Sequence, residues 1–147
     1  MPWLDLAHPP AKIIQSIAQV AGKISPHFRI RTRLKVAGIS HHQDLVDLVT
    51  KDGIYHDFLS LRLFSQIMEA GRHAQNHVKD LTLPTLLFCG GQDAICSAPA
   101  IRRFAQQAGE NVIYDELPEA YHALHLDTDA RQFLNKMKDF LLKSEFS

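Results

Sequence analysis

Cysteine is scarce in this chain: Cys89 and Cys96 are the two thiols among 147 residues. Their spacing makes neither a disulfide framework nor a zinc-ligand set, and a reducing, cytoplasmic compartment is the simpler expectation. Net charge is missing as well. The 16 basic side chains balance 16 acidic ones, so no broad positive field invites nucleic acid, and none is expected as a partner. No apolar run comes near the roughly 20 residues of a membrane-spanning helix, so membrane contact is expected to be peripheral at most. The first residues, Met1-Pro2-Trp3-Leu4-Asp5-Leu6, lack the basic flank and apolar core of a signal peptide. The fingerprint G-x-G-x-x-G is absent, which weakens a nucleotide-binding reading of residues 86–91. Beside His41-His42 no Cys, Asp or Glu stands at ligand spacing with a complementary histidine. The pair reads as surface histidines, and neither metal nor cofactor is expected.

What is present suits a globular protein: 46% hydrophobic and 22% charged residues, without internal repeat, low-complexity run or interdomain linker. After the break at His8-Pro9-Pro10, the residues Ile13, Ile14, Ile17, Val20, Ala21 and Ile24 recur with helical period, and Pro26 stops the helix. Arg29, Arg31, Arg33 and Lys35 then alternate along residues 28–36. Such a strip can meet anionic head groups, but four charges are few for that, and a solvated face of an irregular segment is the preferred reading. Residues 40–71 hold a helical stretch punctuated by Asp44, Asp47 and Asp52. A second helix is expected from Asp57 to about Gly71, with Phe58, Leu61, Phe64, Ile67 and Met68 on its apolar stripe. Phe133, Met137, Phe140 and Leu141 mark a last core-facing helix, with Asp127 or Thr128 near its start.

Residues 83–122 organise the rest. The run Leu83-Pro84-Thr85-Leu86-Leu87-Phe88-Cys89 reads as a strand, and the turn Gly90-Gly91-Gln92 delivers Asp93. A helix follows, with Ile101, Phe104, Ala105 and Ala108 on one face, Ser97 as cap, Pro99 in the first turn and Gly109 past the end. A second strand, Asn111-Val112-Ile113-Tyr114-Asp115-Glu116-Leu117, leads through Pro118-Glu119-Ala120-Tyr121 to His122. In a parallel sheet, residues just past the carboxyl ends of strands share one rim, so Asp93 and His122 are expected side by side. A carboxylate placed there orients an imidazole and stabilises its charge when it acts as general base.

Those stretches, together with Tyr121-His122-Ala123-Leu124-His125-Leu126-Asp127, resemble the C-terminal part of α/β-hydrolases. The similarity is to the monoacylglycerol lipase and lysophospholipase branch, of the serine aminopeptidase S33 type. There a strand reading roughly P-x-L-x-x-x-G-x-x-D is followed by a histidine and then an acidic residue. The resemblance implies an α/β fold class, with a helical cap in residues 1–75 and the last two parallel strands and helices of the core in 76–147. It implies that Asp93 is the triad acid and His122 the base, with His125 a weaker competitor. It also implies acyl-ester substrates, with Phe58, Leu61 and Phe64 lining an acyl pocket.

The nucleophile that such enzymes carry in G-x-S-x-G does not appear. None of the eight serines (Ser16, Ser25, Ser40, Ser60, Ser65, Ser97, Ser144 and Ser147) has glycines at both flanking positions. The chain therefore reads as the acid/base half of a hydrolase acting on acylglycerols or lysophospholipids, inactive alone. Its expected partner is an N-terminal half, or a second copy, covering the exposed edge of the sheet. The alternative is a noncatalytic remnant or binding module of the same fold.

Overall fold

The computed structural model describes residues 2–32 and 34–143. Helix α1 (Lys12–Ile24) begins just after the Pro9-Pro10 break, where the Gln15 side chain donates to the Pro10 carbonyl at 2.8 Å. It buries Ala18 and Gly22 against α3 (Leu61–Asn76). Small residues at that contact let the two helices approach closely: the hydroxyl of Ser65 on α3 donates to the Ala18 carbonyl at 3.3 Å. The larger side chains Ile13, Ile17, Val20 and Ile24 follow one another on the opposite stripe and stay exposed. Helix α2 (Gln43–Lys51) lies between these two in the chain and buries Val46.

Three expectations for this region are corrected. The segment after Phe28 is ordered where it was expected to be irregular: β1 (Arg29–Arg31) pairs antiparallel with β2 (Phe58–Ser60). Phe58 therefore lies on a strand, and the helix begins at Leu61, with the Ser60 hydroxyl accepting the Leu63 N–H at 3.1 Å. That serine cap fixes the boundary that apolar periodicity alone placed too early. Arg29 and Arg31 remain exposed, and Arg31 reaches both Asp57 at 3.7 Å and the Phe58 ring at 5.2 Å; Arg33 lies outside the described residues. Helix α3 also runs past Gly71 to Asn76. Gly71 serves packing: a Cβ there would sit 2.6 Å from the Leu4 carbonyl oxygen, which accepts the Gln75 side chain at 2.7 Å.

The second half follows the sequence closely. β3 (Thr85–Gly90) and β4 (Val112–Leu117) pair in parallel, with Thr85 opposite Val112 and Gly90 opposite Leu117. Between them runs α4 (Ala98–Ala108), capped by the Ser97 hydroxyl on the Ala100 N–H and ended by Gly109 at φ +74°. Ile101, fully buried, joins Leu4, Leu87, Cys89, Cys96 and Ala105 in a core on one face of this pair. On the other face Phe88, Leu117, Ala120 and Leu124 form a second cluster. Helix α5 (Ala130–Lys143) touches it through Phe133, edge-on to Phe88 with centroids 4.7 Å apart, and through an ion pair from Lys136 to Asp115. Of the residues expected on its core-facing stripe, Phe133 packs against the core, whereas Met137 and Leu141 stay exposed. Among the described residues β3 has a strand neighbour on one side only.

Candidate active site

Because β3 and β4 end level, with Gly90 opposite Leu117, the turns that leave them share one rim. Backbone hydrogen bonds then bind the two turns together. The Gly91 N–H donates to Leu117 at 2.8 Å and the Gln92 N–H to Ala120 at 3.1 Å. Side chains at the two glycines would obstruct this. A Cβ on Gly90 would meet the Ala120 carbonyl oxygen at 2.5 Å, and one on Gly91 would lie 2.8 Å from Pro118 Cα. The Gly90-Gly91 pair is thus a close-approach device as well as a turn.

This docking places Asp93 against His122. Asp93 Oδ2 lies 2.9 Å from His122 Nδ1. Asp93 Oδ1 accepts the Ile95 N–H at 2.7 Å and the Cys96 N–H at 3.0 Å. The Asp93 side chain is fully buried and that of His122 is 30% exposed. A carboxylate can only accept, so Nδ1 carries the proton and Nε2 keeps its lone pair, as a general base requires. The loop holding Asp93 is braced from below by the N-terminal segment. The Ala7 N–H donates to Ile95 at 3.0 Å, the Ser97 N–H donates to Asp5 at 3.0 Å, and Leu6 bridges Cys96. His125, exposed in the turn that follows, is not the histidine that Asp93 binds.

The Cys96 thiol completes a cluster with Asp93 and His122 whose ligand atoms lie within 4.8 Å of one another. Burial pushes that thiol up to about 12 and the Cys89 thiol to about 11, so neither is a thiolate near neutral pH. Both oxygens of Asp93 are already engaged, so the hydrogen bonds account for the cluster without an ion.

A second histidine–aspartate pair stands beside the first. Asp127 Oδ1 is 2.9 Å from His41 Nδ1 and also accepts the His41 backbone N–H at 2.9 Å. Asp127 Oδ2 accepts the Tyr121 N–H at 2.6 Å. The His41 ring stacks on Tyr121 with centroids 3.7 Å apart, and the Ile39 carbonyl accepts the Ala123 N–H at 2.9 Å. His41 is thus more than the surface histidine expected from the sequence. Asp127 faces back to it rather than only opening α5. Nothing local in the chain signals a contact between residues 86 positions apart.

Burial would raise the Asp127 carboxyl. The N–H groups of His41 and Tyr121, then the His41 ring, outweigh it and hold the group down at about 2, against 3.8 unperturbed. Its folded value lies below its unfolded one, so the stabilisation is fully present above pH 3.8 and is lost as pH falls through about 2. Urea unfolding between pH 5 and pH 2 should therefore show a stability loss of which up to about 2 kcal/mol disappears in Asp127→Asn.

Of the three residues expected to line an acyl pocket, Leu61 and Phe64 are buried together with Ala18 and Met68 between α1 and α3. Phe58 stands apart on β2, 41% exposed beneath Arg31. A polar cleft of about 630 Å³ opens between α1 and α3, lined by Lys23, Arg62, Glu69 and Arg72 among others and by neither Asp93 nor His122.

Residues 1–129 match the family described as serine aminopeptidase, S33. The chain belongs to that family. A putative monoglyceride lipase of Schizosaccharomyces pombe is 21% identical over 131 residues, covering 87% of this S33 chain and 35% of its relative. The crystal structure of a Paleococcus ferrophilus monoacylglycerol lipase superposes with a TM-score of 0.87 at 22% identity, covering 95% of this chain and 55% of that one. A soluble variant of the Saccharomyces cerevisiae monoglyceride lipase, in complex with a substrate analogue, gives a TM-score of 0.79 at 24% identity, covering 96% and 50% respectively. The α/β fold of this S33 chain is therefore that of monoacylglycerol lipase structures, of which it spans about half the length.

Proposed function

We propose that this chain supplies the acid and base of a serine hydrolase that cleaves carboxylic esters of acylglycerols or lysophospholipids. His122 takes the proton from a serine as it attacks the ester carbonyl and returns it to the leaving alcohol. Asp93 holds the imidazole and offsets its positive charge. The observation that carries this reading is the 2.9 Å contact from Asp93 Oδ2 to His122 Nδ1, with Oδ1 fixed by two backbone N–H groups. The serine and the oxyanion hole come from an N-terminal half of the fold, because no G-x-S-x-G occurs in these residues. Support for that partner comes from β3, which has a strand on one side only among the described residues, and from the exposed Ile13, Ile17, Val20 and Ile24. A second copy of this chain is the competing cover for the same edge. Residues 1–75 act as the cap. Phe58 is the one of the three apolar residues exposed enough to meet an acyl chain. Two free, buried cysteines suit a cytoplasmic setting, and no helix among the described residues is long and apolar enough to cross a membrane.

The test uses the purified chain with a short-chain p-nitrophenyl ester and a fluorophosphonate probe. The expected outcome is no turnover and no labelling. Stoichiometric labelling of a serine, with turnover lost in His122→Ala, would place a nucleophile within the chain and refute the half-enzyme reading. The missing motif also fits a noncatalytic remnant, which a complementing half would fail to activate.

A further inference from the structure

We infer that Asp127, seated by His41, is a positioning residue for His122. The inference rests on the proposed role of the Asp93–His122 pair. His122 is bracketed by two backbone contacts made outside that pair. On one side the Tyr121 N–H donates to Asp127 Oδ2 at 2.6 Å, and on the other the Ala123 N–H donates to the Ile39 carbonyl at 2.9 Å. The second reaches the segment 39–42, which precedes α2 and belongs to the proposed cap, directly, and the first reaches it through Asp127. Two further groups fix Asp127 itself: the His41 ring at 2.9 Å and the His41 N–H at 2.9 Å, with the Ser40 hydroxyl alongside. Ser40 in turn donates to the Leu126 carbonyl at 2.7 Å and accepts the His42 N–H at 3.1 Å. The Asp127 side chain is fully excluded from solvent, so charge-assisted bonds to it are strong and directional. Asp93 sets which nitrogen of His122 is protonated. Asp127 sets where the backbone of His122 stands, and so where Nε2 points. Because His41 belongs to the cap and Asp127 to the core, a shift of the cap segment would move the base.

Asp127→Asn probes this with little change of volume. An amide cannot accept on both sides. Either the Tyr121 N–H or the His41 N–H then faces an NH₂ group.

The full chain, labelled with ¹⁵N, is examined by NMR for two signals: the low-field proton on His122 Nδ1 and the exchange of the Tyr121 amide. In the unsubstituted chain the His122 proton should be visible. In Asp127→Asn the Tyr121 amide should exchange at least about tenfold faster, and the His122 signal should broaden or vanish. The amides of Ala18 and Met68, in the distant core of α1 and α3, should speed up clearly less than that of Tyr121. An unchanged His122 signal in Asp127→Asn would overturn the positioning role while leaving the Asp93 contact intact. Equal acceleration of all amides would reduce Asp127 to a general structural role and overturn it too. A missing His122 proton in the unsubstituted chain would refute the acid/base pair itself. Should Asp127→Asn fail to fold, His41→Ala keeps the carboxylate and its bond to Tyr121. It should still speed exchange of the His122 proton several-fold, and no change would overturn the inference.

Discussion

Asp93→Asn, in the chain complemented by a half that carries the nucleophile, should lower kcat for ester hydrolysis about 10⁴-fold with KM little changed. The magnitude follows triads in which the acid is replaced by its amide. The geometry says why the loss should be large here. Ile95 and Cys96 direct two N–H groups at Oδ1, so the oxygen of an asparagine would be held on that side. Its NH₂ group would then face His122 Nδ1, which must become the acceptor. The proton moves to Nε2, and the ring can no longer take one from serine. The substitution is nearly isosteric, so thermal unfolding should show a far smaller change than the kinetics do. A kcat within tenfold of the unsubstituted complex would remove Asp93 from the catalytic role.

Gly91→Ala should have the largest effect on folding, about 2–3 kcal/mol in urea unfolding. The new Cβ would lie 2.8 Å from Pro118 Cα and closer still to the Pro118 carbonyl oxygen. These are backbone atoms, which cannot swing aside as a side chain does. The Gly91 N–H is also bonded to Leu117 at 2.8 Å, so relief by retreat would break the contact that joins the two turns. The loss is a large part of the roughly 5–15 kcal/mol that a domain of this kind holds. Gly38→Ala is the comparison, since its Cβ would meet only the Ala94 methyl at 3.4 Å. It should cost less than about 0.5 kcal/mol. Equal losses in the two variants would show that close approach at Gly91 is not what the glycine provides.

The meeting of Asp93 and His122 was legible because its signals are local. A strand followed by Gly-Gly and an acid, then a strand followed by a turn and a histidine, can be read along the chain. Parallel pairing does the rest, since strands ending level put both turns on one rim. The α4 boundaries were equally plain, with Ser97, Pro99 and Gly109 acting where their chemistry predicts. The pairing of β1 with β2 was not legible. Three residues on each side, with one face exposed, leave too little alternation to outweigh the helical period of residues 58–68. Gly71 looked like a helix end because a glycine in a helix usually weakens it. Its purpose is visible only once the Leu4 backbone is laid against it. His41 and Asp127 were hidden for the same reason: folding alone brings residues 39–41 to the histidine loop.

Complementation in trans tests most directly whether this chain supplies the acid and base. A separately expressed α/β-hydrolase N-terminal half carrying G-x-S-x-G is titrated with this chain, and hydrolysis of a monoacylglycerol is followed. The expected result is no turnover from either part alone, a rise that saturates at one chain per half, and none when the chain carries His122→Ala. Turnover that survives His122→Ala, or a stable one-to-one complex that hydrolyses nothing, would contradict that role.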